Sequence, residues 1–259
     1  MRLGELIEGM QGTESISGRA DAEVTGVQYD SRRLANGDAF VALRGEHLDG
    51  AAYIDEAIMK GASAVVAEGP QRPDALGPET PYVGVSDARA ALAHISNVFN
   101  GRPSERMRVV GITGTNGKTT VAHMLRSAIA ASGQMVGMIG TIKYYVGDEA
   151  RPAPFTTPEA PEFQGLLREM HEAGCLSVVS EVSSHALAQR RVDNTRFQAA
   201  VFTNLTAEHL DFHHTMDEYF QAKSRLFLEL LDGTAVINMD DPYGRELVRM
   251  CERPVITYA

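Results

Sequence analysis

Apolar positions along the chain change period several times, and each change marks a predicted element. In the first third, residues 24–29, 39–43, 64–67 and 82–85 are short β-rich runs, and 51–60 carries helical spacing. Asp30-Ser31-Arg32 and Asn36-Gly37-Asp38 punctuate them as turns. Residues 87–100 form an Ala-rich helical pattern that ends at Gly101-Arg102-Pro103-Ser104-Glu105, read as a linker. Beyond it the pattern alternates regularly. Strands are predicted at 108–112, 135–139, 177–182, 199–204, 234–239 and 254–257, and helices at 118–132, 160–173, 216–230 and 241–251. Such alternation predicts an α/β fold whose mainly parallel sheet is covered on both faces.

The expected organisation is a small α/β domain over residues 1–86, a helix and linker over 87–107, and a larger parallel-sheet domain over 108–259. The final strand has no helix after it, so the second domain is expected to be truncated.

Composition narrows the function classes. Of 259 residues, 44% are hydrophobic and 22% charged, as in a globular protein. The net charge of −10 and the absence of a long Lys/Arg block argue against nucleic acid or an anionic membrane as the main partner. No apolar run approaches the roughly 18–20 residues of a membrane helix, and the N-terminus lacks a signal-peptide pattern. Cys175 and Cys251 are expected to be reduced, buried thiols, which favours a cytoplasmic location.

The strongest chemical signal is Thr113-Gly114-Thr115-Asn116-Gly117-Lys118-Thr119-Thr120, between a predicted strand and a predicted helix. Glycines let backbone approach phosphate oxygens, and a new helix points unpaired N–H groups at them. Lys118 is expected on the β/γ-phosphates and the Thr119 hydroxyl on Mg²⁺. The usual spacing G-x-x-x-x-G-K-[ST] is not met, because Ile112 stands where its first glycine would be. Glu181 closes another strand, where a carboxylate faces the ligand crevice of an open α/β sheet, and is a second candidate Mg²⁺ ligand.

This loop resembles the ATP loop of the Mur ligases of peptidoglycan synthesis, and five further segments extend the resemblance. They are Tyr29-Asp30-Ser31-Arg32-Arg33 with the Gly37-Asp38-Ala39-Phe40 run; Phe155-Thr156-Thr157-Pro158; and Glu181-Val182-Ser183-Ser184-His185 through Arg191. Phe202-Thr203-Asn204-Leu205 through His213, and Ala222-Lys223-Ser224-Arg225, complete them. Within the family the chain is most similar to ligases that extend UDP-N-acetylmuramoyl-L-alanyl-D-glutamate. The resemblance implies a UDP-binding N-terminal domain, a central ATPase domain and a C-terminal ligase domain that this chain does not contain. It implies an ATP-dependent amide ligase of cell-wall biogenesis, acting through an acyl phosphate on a UDP-N-acetylmuramoyl dipeptide and a free amino acid, meso-diaminopimelate or L-lysine. With the composition, this makes the expected protein a cytoplasmic monomer that binds neither nucleic acid nor membrane.

Residue roles carry over from the same resemblance. Lys118, His209 and Lys223 are the expected catalytic residues. Thr119, Glu181, His209 and Lys223 are the expected metal set, with Lys223 turned into a carbamate by CO₂. A partly buried amine has a lowered pKa and is nucleophilic when neutral, which suits that chemistry. Tyr29, Ser31, Thr156, Thr157, Ser183, Gln189 and Arg191 are the expected substrate contacts, Arg191 as a bidentate clamp. Glu208 stands where the family usually has Asp.

Rival readings remain at this level. His209 and His213 have the i, i+4 spacing of a zinc helix, without the usual Glu between them. A folylpolyglutamate synthase and a fragment that binds without ligating also remain open. A P-loop GTPase would need an Asn-Lys-x-Asp pattern that the chain lacks.

Overall fold

The computed structural model describes residues 1–45, 49–74 and 76–259. The chain divides into two compact units, Met1–Gly101 and Arg102–Ala259.

In the first unit, α1 (Leu3–Ile7) and β1 (Thr13–Ser17) precede β2 (Gly26–Gln28) and β3 (Asp38–Val41). A 3₁₀ turn at Gly50–Tyr53 leads into α2 (Ile54–Met59), followed by β4 (Ala64–Glu68), β5 (Tyr82–Val85) and α3 (Ala88–Phe99). The sheet order is β1-β5-β4-β3-β2, parallel except for β1. Alternate strand residues serve opposite faces. Phe40, Val65 and Tyr82 pack with Ile54 and Ala57 of α2 into one apolar cluster. The Ala-rich helix expected to introduce a linker is capped by Asp87 and packs on β2, β3, β4 and α1 of this unit. The boundary therefore falls after the helix. The residues expected as linker continue into a 3₁₀ turn, Pro103–Glu105, whose Ser104 hydroxyl accepts from the Arg196 N–H at 3.1 Å.

The second unit runs β6 (Arg108–Thr113), α4 (Lys118–Ala131), β7 (Val136–Ile139), β8 (Lys143–Val146), β9 (Glu149–Pro152), α5 (Ala160–Glu172) and β10 (Ser177–Glu181). It continues with α6 (Ser184–Ala188), β11 (Phe197–Phe202), α7 (Leu210–His213), α8 (Met216–Leu228), β12 (Leu231–Asn238), α9 (Pro242–Met250) and β13 (Val255–Tyr258). The sheet order is β13-β12-β11-β6-β10-β7-β8-β9. Six strands are parallel, and β8 and β9 add an antiparallel hairpin at one edge. Strand alternation sends Val109, Val178 and Ile139 to one face, with Phe163, Leu167, Tyr219 and Leu226 of α5 and α8. Ile112, Val179 and Met138 go to the other, with Ala122 of α4. At Gly111 a side chain would press on Phe197 and Leu226, so glycine lets those groups close over β6.

The pattern reading misses α1, β1, the β8–β9 hairpin and the one-turn helices α6 and α7. These segments are short or carry few apolar residues, so periodicity has too little length to register. Both cysteines are free thiols; Cys175 is buried, but Cys251 is only half-buried, unlike the expectation, because it lies just past α9.

Candidate functional site

The strand order creates the site. From β6 the chain crosses to β7 beyond β10, and from β10 it crosses over β6 to β11. The C-terminal ends of β10, β6 and β11 thus border the point where connections diverge, the usual ligand crevice of an open α/β sheet.

After β6, the expected phosphate loop turns tightly. Gly114 (φ 149°) and Gly117 (φ 86°) adopt backbone conformations open mainly to glycine. A Cβ on Gly114 would collide with the Thr203 hydroxyl. Gly117 caps α4, so Lys118, Thr119 and Thr120 form its first turn. The intrahelical ladder begins when the Val121 N–H donates to Gly117 O at 2.9 Å, leaving the preceding N–H groups at the positive end of the helix. Lys118 Nζ donates to the loop's own carbonyls, Gly114 O and Thr115 O, both at 2.8 Å. Burial holds its ammonium below the ordinary lysine range, opposed by the pull of Glu181 and Glu208. Thr113 is fully buried at the strand end.

After β10, Glu181 is 0% exposed. Its Oε2 accepts from Thr119 Oγ1 at 2.8 Å and Thr141 Oγ1 at 3.0 Å, and its Oε1 from the Thr141 N–H at 2.9 Å. Thr141 Oγ1 and Thr156 Oγ1 are 3.2 Å apart. Thr157 Oγ1 donates to Glu181 O at 2.9 Å and accepts from the Ser183 N–H at 3.1 Å. Five expected site residues, Thr119, Glu181, Thr156, Thr157 and Ser183, therefore meet in one network. A carboxylate with hydroxyls is a hard-oxygen donor set of the kind Mg²⁺ takes.

The third cluster surrounds Tyr219. Lys223, 2% exposed, donates to Gly114 O at 2.9 Å and lies 4.6 Å from the Tyr219 ring centroid. Burial, reinforced by Lys118, pushes its amine well below the usual lysine range. His209, at φ 56°, precedes α7 with its ring 6.1 Å from Tyr219 and 4.9 Å from His185. His213 stacks on Tyr219 at 5.0 Å and is pushed down to about 4, chiefly by burial. His185 is lowered by burial and by His209. His209 thus lies outside the single turn that carries His213, which departs from the helical geometry a zinc helix would need. Among the described residues no group of three or more His, Cys, Asp or Glu is arranged to hold a metal ion. His209 and Lys223 share Tyr219, while Thr119 and Glu181 share a direct hydrogen bond, so the expected metal set falls into two pairs.

Arg191 is already engaged. Its guanidinium contacts Glu159 at 2.8 Å and donates to Gln189 Oε1 and Thr157 O at 3.1 and 3.0 Å. In the first unit, Tyr29 is half-buried beyond β2, and Ser31 starts a 3₁₀ turn capped by Asp30. Ser31 Oγ donates to Glu56 Oε2 at 2.9 Å, and Lys60 Nζ donates to Ser31 O at 2.8 Å.

Sequence reasoning assigned no role to Thr141, Thr203, Asn204 or Tyr219, although all four hold the site. Thr141 offered a signal, since it follows a predicted strand just as Glu181 ends one. Thr203 and Asn204 lay inside a resembling segment without a role.

Models of two families match the chain: "Mur ligase family, catalytic domain" over residues 23–100 and "Mur ligase middle domain" over residues 112–259. A UDP-N-acetylmuramoyl-L-alanyl-D-glutamate–2,6-diaminopimelate ligase of Geobacter metallireducens is 45% identical over 266 residues, covering 100% of this chain and 51% of that protein. The ligase of that name from Aquifex aeolicus is 42% identical over 235 residues, 91% of this chain and 48% of its own length. A solved structure of a diaminopimelate ligase of the same description superposes with a TM-score of 0.82 at 25% identity, over 100% of this chain and 52% of that one. The chain spans about half the length of the curated relatives it matches.

Proposed function

Because the chain belongs to the Mur ligase family, we propose that it is the nucleotide- and substrate-binding part of an ATP-dependent acid–amino acid ligase. The reaction is addition of 2,6-diaminopimelate to UDP-N-acetylmuramoyl-L-alanyl-D-glutamate, the activity that the relatives' names state. The observation that carries this reading is the junction of Lys118 and Thr119 at the head of α4 with buried Glu181 at the end of β10.

In this reading the substrate carboxylate attacks the ATP γ-phosphorus, ADP leaves, and an acyl phosphate forms. The incoming amine then displaces inorganic phosphate to make the amide. Both steps concentrate negative charge, so fixed positive groups provide most of the catalysis. Lys118 exchanges its bonds to the Gly114 and Thr115 carbonyls for phosphate oxygens. The helix N–H groups of Lys118, Thr119 and Thr120 orient those oxygens. Thr119 and Glu181 would hold Mg²⁺, which when bound neutralises developing phosphate charge. Buried, deprotonation-prone Lys223 fits a carbamate, which would supply an anionic oxygen beside His209 for a second ion. Thr156, Thr157, Ser183, Gln189 and Arg191 are assigned to the peptide end of the substrate, and Tyr29 and Ser31 to its UDP end.

The test is Mg²⁺-dependent turnover of the complete protein with ATP, UDP-N-acetylmuramoyl-L-alanyl-D-glutamate and 2,6-diaminopimelate, with L-lysine and a folate substrate in parallel. Stoichiometric ADP, phosphate and tripeptide product are expected with diaminopimelate. Turnover with the folate, or with L-lysine alone, would replace this assignment.

A further inference from the structure

Two consecutive side chains after β11 grip both backbone groups of one residue of the phosphate loop, Asn116. Asn204 Oδ1 accepts from the Asn116 N–H at 3.0 Å, and Asn204 Nδ2 donates to Asn116 O at 3.2 Å. The amide thus pairs with backbone as a neighbouring strand would. Thr203 Oγ1 donates to the same Asn116 carbonyl at 2.7 Å. The preceding loop residue is tied by backbone and side chain: the Thr115 N–H donates to Asn204 O at 2.9 Å, and Thr115 Oγ1 accepts from the Thr206 N–H at 3.0 Å. A second layer holds the gripping segment itself, since Asn238 Nδ2 donates to Thr203 O at 2.8 Å and Asp241 Oδ2 accepts from the Leu205 N–H at 2.8 Å.

We infer that Thr203 and Asn204 are positioning residues for the nucleotide, acting through Asn116. Asn204 commits the N–H groups of Thr115 and Asn116 to the protein through its backbone and side-chain oxygens, and Thr203 holds the Asn116 carbonyl, so the phosphates meet the donors that follow, at the head of α4. Thr203 also sets the shape of the loop from below, because its hydroxyl fills the space a Cβ on Gly114 would need. The loop departs from the common glycine spacing at Ile112. The clamp from β11 supplies the constraint that this spacing would otherwise provide within the loop.

This inference rests on the reading of the loop as a nucleotide site, and the experiment separates the two. Binding of a non-hydrolysable ATP analogue with Mg²⁺ is measured by calorimetry on the complete protein and on Asn204→Ala, Thr203→Val and Thr203→Ser, alongside steady-state kinetics and thermal unfolding. Asn204→Ala is expected to weaken nucleotide binding about 10-fold, because the nucleotide must then order the Asn116 segment that its two bonds to Asn204 otherwise hold in place. Its KM for ATP rises while the KM for the UDP-sugar dipeptide and the melting temperature stay near the parent's, because Asn204 is half-exposed. Thr203→Val loses nucleotide affinity, and Thr203→Ser, which keeps the hydroxyl, retains it. The inference falls if Asn204→Ala and Thr203→Val bind nucleotide within twofold of the parent, or if both substrates' KM values rise together with a lowered melting temperature. If the parent binds no nucleotide, the functional reading falls first and this inference with it.

Discussion

Charge is used differently in the two units. In the first, buried Asp38 bonds to backbone, and the carboxylate–cation pairs lie near the surface: Arg32, with 84% of its side chain exposed, meets Asp30 at 2.7 Å, and Lys60 meets Glu56 at 2.8 Å. Water solvates these groups in any conformation, so their mutual attraction is mostly screened and adds little to folding. In the second unit Glu181, Lys223 and Asp193 are buried. Each has bonds that replace the lost water: three threonine donors for Glu181, the Gly114 carbonyl for Lys223, and the Arg225 and Arg190 guanidiniums for Asp193. Buried charge is tolerated only with such partners, and the charges at strand ends are the ones an anionic, metal-bearing ligand would use. A charge's surroundings, more than its presence, separate a functional cluster from a solvated surface.

The largest effect that would sharpen this contrast is at Glu181. Glu181→Gln keeps the size and removes the charge, and turnover is expected to fall about 10²–10³-fold, the usual scale for one preorganised electrostatic group. Initial rates across a Mg²⁺ titration check it; a loss recovered fully by raised Mg²⁺ would place the role in affinity alone. Gly114→Ala comes next. Strain at φ 149° and the overlap with Thr203 are expected to weaken nucleotide binding about 100-fold, as read by calorimetry. Asp193→Ala leaves two guanidiniums without their shared acceptor, and urea unfolding should show a loss of about 2–3 kcal/mol. Asp241→Ala removes the α9 cap, whose Oδ1 accepts from the Tyr243 N–H at 2.8 Å, at about 1–2 kcal/mol on the same assay. Arg32→Ala should leave the urea midpoint unchanged within error, despite its short contact with Asp30. A cost at Arg32 equal to that at Asp193 would break the comparison.

Much of the site was legible because its chemistry is local. Gly114 to Thr120 lies in one stretch between a strand and a helix, and Glu181 ends an unmistakable apolar run. The role of Thr141 was not legible, because it depends on β7 lying beside β10, a pairing between segments about 40 residues apart. The engagement of Arg191 with Glu159 and Gln189 was equally hidden, since sequence gives a cation's identity but not its partners. The helix at 88–99 was legible as a helix, but its packing on β2, β3, β4 and α1 was not, because its apolar face says only that it packs, not on what.

The amino-acid order by itself determined the alternation of strands and helices, the two-part organisation and the glycine-rich turn between β6 and α4, because each depends on periodicity or on residue types within one turn or strand. Tertiary structure alone decided that β6 lies between β10 and β11, and hence that Glu181, Thr119 and Thr203 converge on the loop. It also decided that Lys223 loses its water while Lys60 keeps its own. Pairing between distant strands and burial of a particular side chain are properties of the packed chain, since each is set by groups that meet only after the sheet has formed.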